Sequence, residues 1–195
     1  MEMGKWISAA DSVVWSWYAG LEGGRALAEV LFGEVNPSGK LPETFYKRHT
    51  DCSAHALGEF PGGAKVQYRE GVFVGYRYND AFHVEPQFCF GHGLSYTQFR
   101  YSDPAVQKTE SGMTVSCVVE NTGSMAGKET VQVYFAPKHR KDDEPVQQLA
   151  GFEKISLEPG EKKKTEIRTA ACGPDMEIRI AASSRDIRLV VDADL

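Results

Sequence analysis

Apolar and polar residues alternate along the last half of the chain, in positions 98–195. The alternation recurs at 113–119, 131–135, 165–169, 176–180 and 187–191, and turn sequences such as NTGSMAG and EPG separate these stretches. A period of two is typical of strands that bury one face. We expect six or seven short strands in about 100 residues, which is the pattern of a two-sheet sandwich of the immunoglobulin or fibronectin type III kind.

The first third of the chain has a different pattern. Residues 12–18 (SVVWSWY) form a continuous apolar run, which predicts a strand buried on both faces of a parallel sheet. A glycine-rich turn follows, and a helix is predicted to end at Gly33. Its apolar face is formed by Ala26, Leu27, Val30 and Leu31. One strand and one helix cannot bury their own apolar faces. We therefore interpret this part as the tail of a larger α/β domain, with Met1 an internal or misassigned start or the chain a fragment.

An aromatic and glycine-rich segment joins the two halves, and we call residues 66–97 the strap. Its rings can bury large areas, and its glycines permit close backbone approach or positive φ. We expect it to pack across a domain surface, with an ordinary piece of core as the alternative. The predicted organisation is an α/β remnant at 1–65, the strap, and a β-sandwich at 98–195. The fold class is α+β overall.

Composition narrows the functional classes. The hydrophobic content of 42% is that of a soluble globular protein, and the net charge of −5 argues against nucleic-acid and anionic-membrane partners. The one basic cluster, residues 162–164, suits a solvated turn or the start of a strand. No apolar run is long enough to cross a bilayer, and the N-terminal segment lacks the features of a signal peptide. We therefore expect a cytoplasmic location.

Four cysteines lie far apart, at positions 52, 89, 117 and 172, without the spacing of a zinc site. The even number leaves disulfides open, but the apolar surroundings favour free, mostly buried thiols. No glycine pattern for nucleotide phosphates occurs. We predict neither a metal nor a cofactor.

Glu22 and His92 are two of three candidates for lining a ligand site. Glu22 follows the predicted strand in a glycine-rich turn, where open α/β sheets tend to place ligands. The alternative is that Glu22 interacts with the dipole of the next helix. His92, among glycines and aromatics, is suited to donate to a sugar hydroxyl or to make a structural hydrogen bond.

Glu70 is the third candidate. Glu70 and Asp80 flank part of the strap, and either of them can instead pair with Arg69 or Arg77. No serine lies in a GxSxG elbow, and no histidine has the neighbours that catalysis requires.

Motifs in three parts of the chain occur in a fixed order. They are YAGLEGGRALAEVLFGEVNPSGKLPETF at 18–45, YREGVFVGYRYND at 68–80, FCFGHGLSY at 88–96, and VENTGSMAGKETVQVYFAPK, QLAGFEKISLEPGEKK and SSRDIRL in the last half. The first three resemble YPGQEGG...ALADVLFGDVNPSGKLPVTF, YxEGxxVGYRYYD and FPFGHGLSY of family 3 glycoside hydrolases, the β-glucosidase and β-xylosidase group. The last three are similar to that family's fibronectin type III-like domain.

The resemblance implies the C-terminal part of a β-glucosidase-like enzyme. Retaining glycosidases need two positioned carboxylates. In this family the nucleophilic aspartate belongs to a TIM-barrel domain, and the acid/base glutamate precedes the segment that matches residues 15–24. We therefore expect no catalytic residue in this chain. The implied partners are the missing barrel and N-terminal α/β portion, together with the carbohydrate substrate of the full enzyme.

The chain departs from the family pattern at several points. Ala19 and Leu21 replace a proline and a glutamine, and Cys89 replaces a proline. The segment between Ile167 and Met176 is shorter than in the family. This predicts a sandwich that lacks part of one strand and exposes an edge prone to association, as in a degenerate or split gene.

Three hypotheses follow. The first is a structural part of a family 3 enzyme, which hydrolyses terminal β-linked glycosyl residues only as a whole. The second is a standalone β-sandwich module that binds carbohydrate or protein, which needs a row of exposed aromatics, whereas Tyr134 and Phe152 are expected in the core. The third is assembly with a separate chain that carries the barrel.

Overall fold

The computed structural model describes residues 2–193. The helices are α1 (Gly23–Leu31), α2 (Ser53–Ala56) and α3 (Tyr76–Ala81), with short 3-10 turns at Ile7–Ala9 and His49–Asp51. The strands are β1 (Phe45–Tyr46), β2 (Pro86–Phe88), β3 (Phe99–Thr109), β4 (Gly112–Asn121), β5 (Gly127–Pro137), β6 (Gln148–Leu157), β7 (Lys162–Thr169), β8 (Met176–Ser183) and β9 (Asp186–Asp192). The fold is α+β overall.

Seven of these strands form the predicted β-sandwich. One sheet has the order β3-β4-β7 and the other β6-β5-β8-β9, and every pairing is antiparallel. The alternating positions meet in one core between the sheets, where each fully buried aliphatic side chain contributes about 1.5–3 kcal/mol. The core includes Val115, Cys117, Val119, Val131, Val133, Ile155, Leu157, Ile167, Ile178 and Ile180.

Strand β7 is complete, which corrects the prediction of a missing strand segment. Its residues pair with β4 from Thr169 opposite Met113 to Lys162 opposite Glu120. The shortened stretch instead lies in the connection 170–175 between β7 and β8. A connection tolerates a deletion better than a strand does, because no ladder hydrogen bonds are lost.

The predicted strand at residues 12–18 does not form. The segment is irregular, and Trp17 has a φ of 52°. A strand of a parallel sheet needs neighbours that accept and donate its backbone hydrogen bonds. No described strand pairs with this segment, although the Phe45 ring of β1 lies 5.2 Å from the ring of Trp15. Val14, Trp17 and Tyr18 are exposed rather than buried on both faces.

The predicted helix is present as α1. Gly33 follows it with a φ of +76°, a conformation that glycine adopts without strain. None of its nine residues is buried, and Leu27 and Leu31, on the predicted apolar face, are exposed. The helix therefore has an apolar face that the described part of the chain leaves largely uncovered, with only Val30 of that face half-buried.

The strap packs against the outer face of the four-stranded sheet, as predicted. The ring of Tyr76 in α3 stacks on Phe90 at 5.0 Å and meets Tyr134 of β5 edge-on at 5.9 Å. The Tyr76 hydroxyl accepts a hydrogen bond from the backbone N–H of Leu149 at 2.9 Å. In addition, β2 pairs with β1, so the strap also joins the first third of the chain.

All four cysteines are free. Only Cys117 is buried, and burial raises the pKa of its thiol to about 11. The other three are half-buried, so the expectation of mostly buried thiols was wrong. Cys52 lies directly before α2, Cys89 in the strap and Cys172 in the connection between β7 and β8, so none of them is on a strand of the sandwich. No helix within residues 2–193 has the length and apolar character needed to span a bilayer.

Candidate functional site

Glu22 lies directly before α1 and is exposed. Its backbone carbonyl accepts a hydrogen bond from the N–H of Ala26 at 2.9 Å. Its side chain makes no capping hydrogen bond to the described helix. The carboxylate is thus free to face solvent or a partner at the N-terminal end of α1.

Glu70 lies in the strap before α3 and is partly buried. Its Oε2 atom is buried and has no hydrogen-bond partner within residues 2–193. Arg69 pairs with Glu59 and also donates to the carbonyl of Leu57. Pairing with Arg69 or Arg77 was the alternative role for Glu70, but Arg69 pairs with Glu59 instead, and no ion pair joins Glu70 to Arg77 within residues 2–193.

Asp80 also pairs differently from the sequence interpretation. Its carboxylate lies 3.0 Å from the guanidinium of Arg185, at the turn between β8 and β9, and not against Arg69 or Arg77. Burial raises the pKa of Asp80, and Arg185 opposes the rise. The pair fastens α3 to the sandwich.

His92 lies where the strap meets the sandwich. Backbone hydrogen bonds hold it, because its carbonyl accepts from Leu41 N–H at 2.8 Å and its N–H donates to the carbonyl of Cys89 at 3.1 Å. Its ring stacks on Phe88 at 5.0 Å. Burial, and secondly the charge of Lys40, lower its pKa. The ring nitrogens have no hydrogen-bond partner among the described residues.

His92 lines a groove of about 790 Å³. Its lining comes from Lys40, from strap residues 92–95 and 97, from the start of β3, from Glu129 on β5, and from the end of β8 and the start of β9. Neither Glu22 nor Glu70 lines this groove. The structure thus leaves the three sequence candidates in separate environments and surrounds only His92 with a cavity.

A buried ion pair is part of the lining of the groove. Lys40 Nζ lies 3.4 Å from Glu129 Oε1, and the side chains are 16% and 5% exposed. The Tyr101 hydroxyl donates to the same oxygen at 2.9 Å. Burial, and then the charge of Glu129, raise the pKa of Tyr101. The hydroxyl therefore remains a donor throughout the neutral range.

Sequence reasoning missed Lys40 and Glu129. The sequence did contain an indication of this site. Glu129 alternates in step with Val131 and Val133 on β5, which places a charged residue on the inward face of the strand. A carboxylate at such a position requires a partner. The identity of that partner was not predictable, because Lys40 is 89 residues away in an irregular segment.

The groove is suited to binding rather than to acid/base catalysis. The Glu129 carboxylate is paired with Lys40, and the Asp186 carboxylate lies 2.7 Å from Arg188. The guanidinium of Arg188 lies 5.7 Å from the centre of the Tyr101 ring. Within residues 2–193, no cluster of three or more His, Cys, Asp or Glu side chains is arranged to hold a metal.

Comparison with known families identifies both halves. Residues 1–96 match the glycosyl hydrolase family 3 C-terminal domain, and residues 129–171 match the fibronectin type III-like domain. The chain belongs to the C-terminal region of glycosyl hydrolase family 3. The resemblance seen in the sequence motifs is therefore confirmed.

Relatives of this family 3 chain include β-glucosidases from several organisms. The chain is 41% identical to β-glucosidase BoGH3A of Bacteroides ovatus, over 94% of this chain and 27% of that protein. It is 49% identical to thermostable β-glucosidase B of Acetivibrio thermocellus, over 81% of this chain and 21% of the relative. The chain thus spans only about a quarter of the length of these relatives.

Solved family 3 structures share this architecture. β-Glucosidase 3B from Thermotoga neapolitana superposes with a TM-score of 0.88 at 40% identity, over 97% of this chain and 29% of that one. The Bifidobacterium adolescentis GH3 β-glucosidase also gives 0.88, at 35% identity, over 99% of this chain and 31% of that one. The larger parts of those enzymes have no counterpart here.

Proposed function

We propose that this chain is a structural, non-catalytic part of a β-glucosidase-like enzyme. It comprises the end of the α/β domain at 1–65, the strap at 66–97 and the fibronectin type III-like sandwich at 98–195. The whole enzyme would hydrolyse terminal β-linked glycosyl residues. The names of the relatives support the substrate class, and the chain covers only about a quarter of their length.

The observation that carries the proposal is an apolar surface around α1. Tyr18, Leu21 and Phe32 are 103%, 99% and 83% exposed, and Leu31 is exposed beside them. Several large apolar side chains exposed within one short stretch of chain are typical of an interface with protein. The rest of the enzyme, with its N-terminal α/β portion and barrel, is the partner that this surface suits. The chain would clamp these parts together through the strap and sandwich.

Roles for the three candidate residues follow from where they lie. Glu22 stands beside the exposed apolar surface, so it would line or shape the boundary with the missing portion. Glu70, whose Oε2 is buried inside the fold, would shape the strap before α3 rather than contact that partner directly. His92 lies apart from both, in the groove. None is assigned a catalytic role.

Activity of the isolated chain is the direct test. We expect the purified 195-residue protein to hydrolyse no aryl β-glucoside above a heat-treated control. Turnover that disappears in Glu22→Gln would show that the chain carries its own catalytic carboxylate. The matched control is Glu34→Gln, which changes an exposed carboxylate beyond the other end of α1.

Association is tested separately. The chain is mixed with the remainder of the Thermotoga neapolitana enzyme, lacking the aligned 29%, and followed by size-exclusion chromatography and aryl β-glucosidase activity. We expect a complex that Leu31→Glu disrupts, since a charge there enters the apolar interface. Lys128→Glu on the exposed surface of β5 is the control.

The standalone binding module is less well supported. It requires a row of exposed aromatics on one sheet, and only Phe152 of the sandwich's five aromatic residues is exposed, at 64%. The expectation that Phe152 belongs to the core was wrong, because it stands on the outer face of β6 at an edge the strap does not cover. Tyr134 is buried as expected, beneath the strap.

A further inference from the structure

The groove between strap and sandwich has the size and composition of a ligand site. Its volume of about 790 Å³ is within the range of about 300–1,000 Å³ that small-molecule sites occupy. It is built from segments far apart in the chain: the loop that carries Lys40, the strap, and strands of the sandwich. Ligand sites commonly lie at such junctions between structural units.

Several hydrogen-bonding groups of the groove have donor or acceptor positions that no described residue occupies. Oε1 of Glu129 accepts hydrogen bonds from both Lys40 and Tyr101. Its Oε2 accepts no hydrogen bond from the described residues. The ring of His92 is held by its stacking on Phe88, while its nitrogens are unpaired within residues 2–193. A bound molecule would thus meet both acceptors and donors that are already positioned.

The paired charges of the groove favour a neutral ligand over a strongly ionic one. Each cationic side chain in its wall has a carboxylate: Lys40 has Glu129, Arg188 has Asp186, and Arg100 has Glu120 at 2.6 Å. No unpaired cation is left among these to neutralise a phosphate or carboxylate. Paired charges still present oriented donors and acceptors, which are the groups that bind neutral hydroxyls.

Apolar area in the groove accompanies the polar groups. Phe99 and Leu94 lie in the walls, and Leu94 is largely exposed. A ligand that combines many hydroxyls with apolar C–H faces matches this mixture. We propose that the groove binds a neutral saccharide of one or two rings, with Glu129, His92 and Arg188 as its hydrogen-bonding residues. This inference does not depend on the proposed function, because it needs no catalysis and no partner.

The test is a titration of the full chain, labelled for NMR, with cellobiose. We expect saturable shifts, with a millimolar Kd, at the backbone amides of 92–101 and 129 and at the His92 ring. Loss of one hydrogen bond to a charged group corresponds to about a tenfold weaker Kd, so Glu129→Gln and Arg188→Leu should each reduce the affinity by about that factor. Arg188 is partly exposed, so its variant should fold even if Glu129→Gln does not.

Controls define what would overturn the proposal. Glu166→Gln alters an exposed carboxylate on β7, outside the groove, and should leave the Kd unchanged. No saturable shift with cellobiose, shifts confined to the exposed surface near Tyr18, or an Arg188→Leu variant that binds normally would each refute the site. Saturable binding of inorganic phosphate at the same residues, in place of cellobiose, would refute the ligand class.

Discussion

Gln132 determines where the strap rests on the sandwich. Its side chain is on the outer face of β5 yet buried, and its Nε2 donates to the carbonyl of Ala182 at 2.8 Å. The Tyr134 hydroxyl donates to its Oε1 at 2.6 Å. Gly91 of the strap lies directly against this amide. The absence of a side chain at position 91 therefore allows the backbone of the strap to approach the sheet.

Gly91→Ala should destabilise the protein by about 2–4 kcal/mol, combining the strain of a positive φ with overpacking. An added Cβ would stand 2.5 Å from Gln132 Oε1, and the buried amide can move only by losing its hydrogen bonds. Gly160→Ala is the matched control, with a φ of +77° against +79° and no atom within 4 Å of the new Cβ. It should cost only about 1 kcal/mol of strain. Equal urea midpoints for the two variants would contradict this account.

His92 should make stability dependent on pH on the acid side. Its pKa is lower in the folded protein than the ordinary value near 6.5, because burial disfavours the imidazolium. The unfolded chain then binds the proton more tightly, so the stabilisation is complete above about 6.5 and is lost as the pH falls through the folded pKa.

Chemical denaturation of wild type and His92→Gln between pH 7.5 and 5 measures this effect. The wild type should lose more stability on acidification than the variant. His139→Gln is the control, since it replaces an exposed imidazole. If His92→Gln loses as much stability on acidification as the wild type, the loss is caused by other titratable groups.

The segment 36–40 illustrates how an irregular element is fixed without strands or helices. Asn36 accepts from the Ser95 hydroxyl and the Tyr96 N–H at 3.0 and 2.8 Å, and it donates to the carbonyl of Ala126 at 3.0 Å. Lys154 donates to the carbonyl of Ser38 at 2.9 Å. With the Lys40–Glu129 pair, these bonds join the first third of the chain to β5 and β6.

Breaking the Lys40–Glu129 pair on one side should destabilise the protein by about 3–5 kcal/mol, because a buried charge is left without its partner. Glu129→Leu tests this by urea unfolding. The double variant Lys40→Met/Glu129→Leu should recover most of the loss, since apolar residues replace both charges.

The control is a double-mutant cycle on the exposed ion pair of Arg25 and Glu29 on α1, whose charged atoms lie 2.7 Å apart. Its coupling should be at most about 0.5 kcal/mol. If the double variant of the buried pair is no more stable than Glu129→Leu alone, the explanation by an unpaired buried charge is wrong. The ion pair itself would then hold the segment in place.

At the scale of the molecule, the two halves differ in how well they are packed. The sandwich has a continuous buried core between its sheets. By contrast, α1 has no buried residue, and residues 12–18 have no strand partner in the described chain. Isolated helices shorter than about 12 residues are marginally stable in water. The stability of residues 12–33 therefore depends on what covers them.

Amide hydrogen exchange of the isolated chain should show this division. We expect slow exchange in β4, β5 and β8 and fast exchange across 12–33, because local opening there breaks few buried contacts. Adding the remainder of a family 3 enzyme should slow exchange in 12–33 and leave the sandwich unchanged. Slow exchange there in the isolated chain, independent of protein concentration, would mean that the front third needs no partner.

The sequence alone predicted the parts of the fold that follow local rules. The alternation at 113–119 and 131–135 predicted the sandwich strands, and the apolar period with Gly33 predicted α1, because one face of each element is read from neighbouring residues. The ordered motifs predicted the family. Among the candidate residues, His92 was selected for its glycine and aromatic context, and its role as a ligand-site residue stays a prediction.

Only the tertiary structure decided the remainder. Residues 12–18 have the composition of a buried strand but lack neighbours to pair with, so composition gave the wrong element. Lys40 meets Glu129 across 89 residues, and Arg185 reaches Asp80 across 105. Ion pairs of this kind, and the groove around His92, depend on how the strap is laid over the sandwich. That placement is a property of packing between distant segments, which no local pattern of residues encodes.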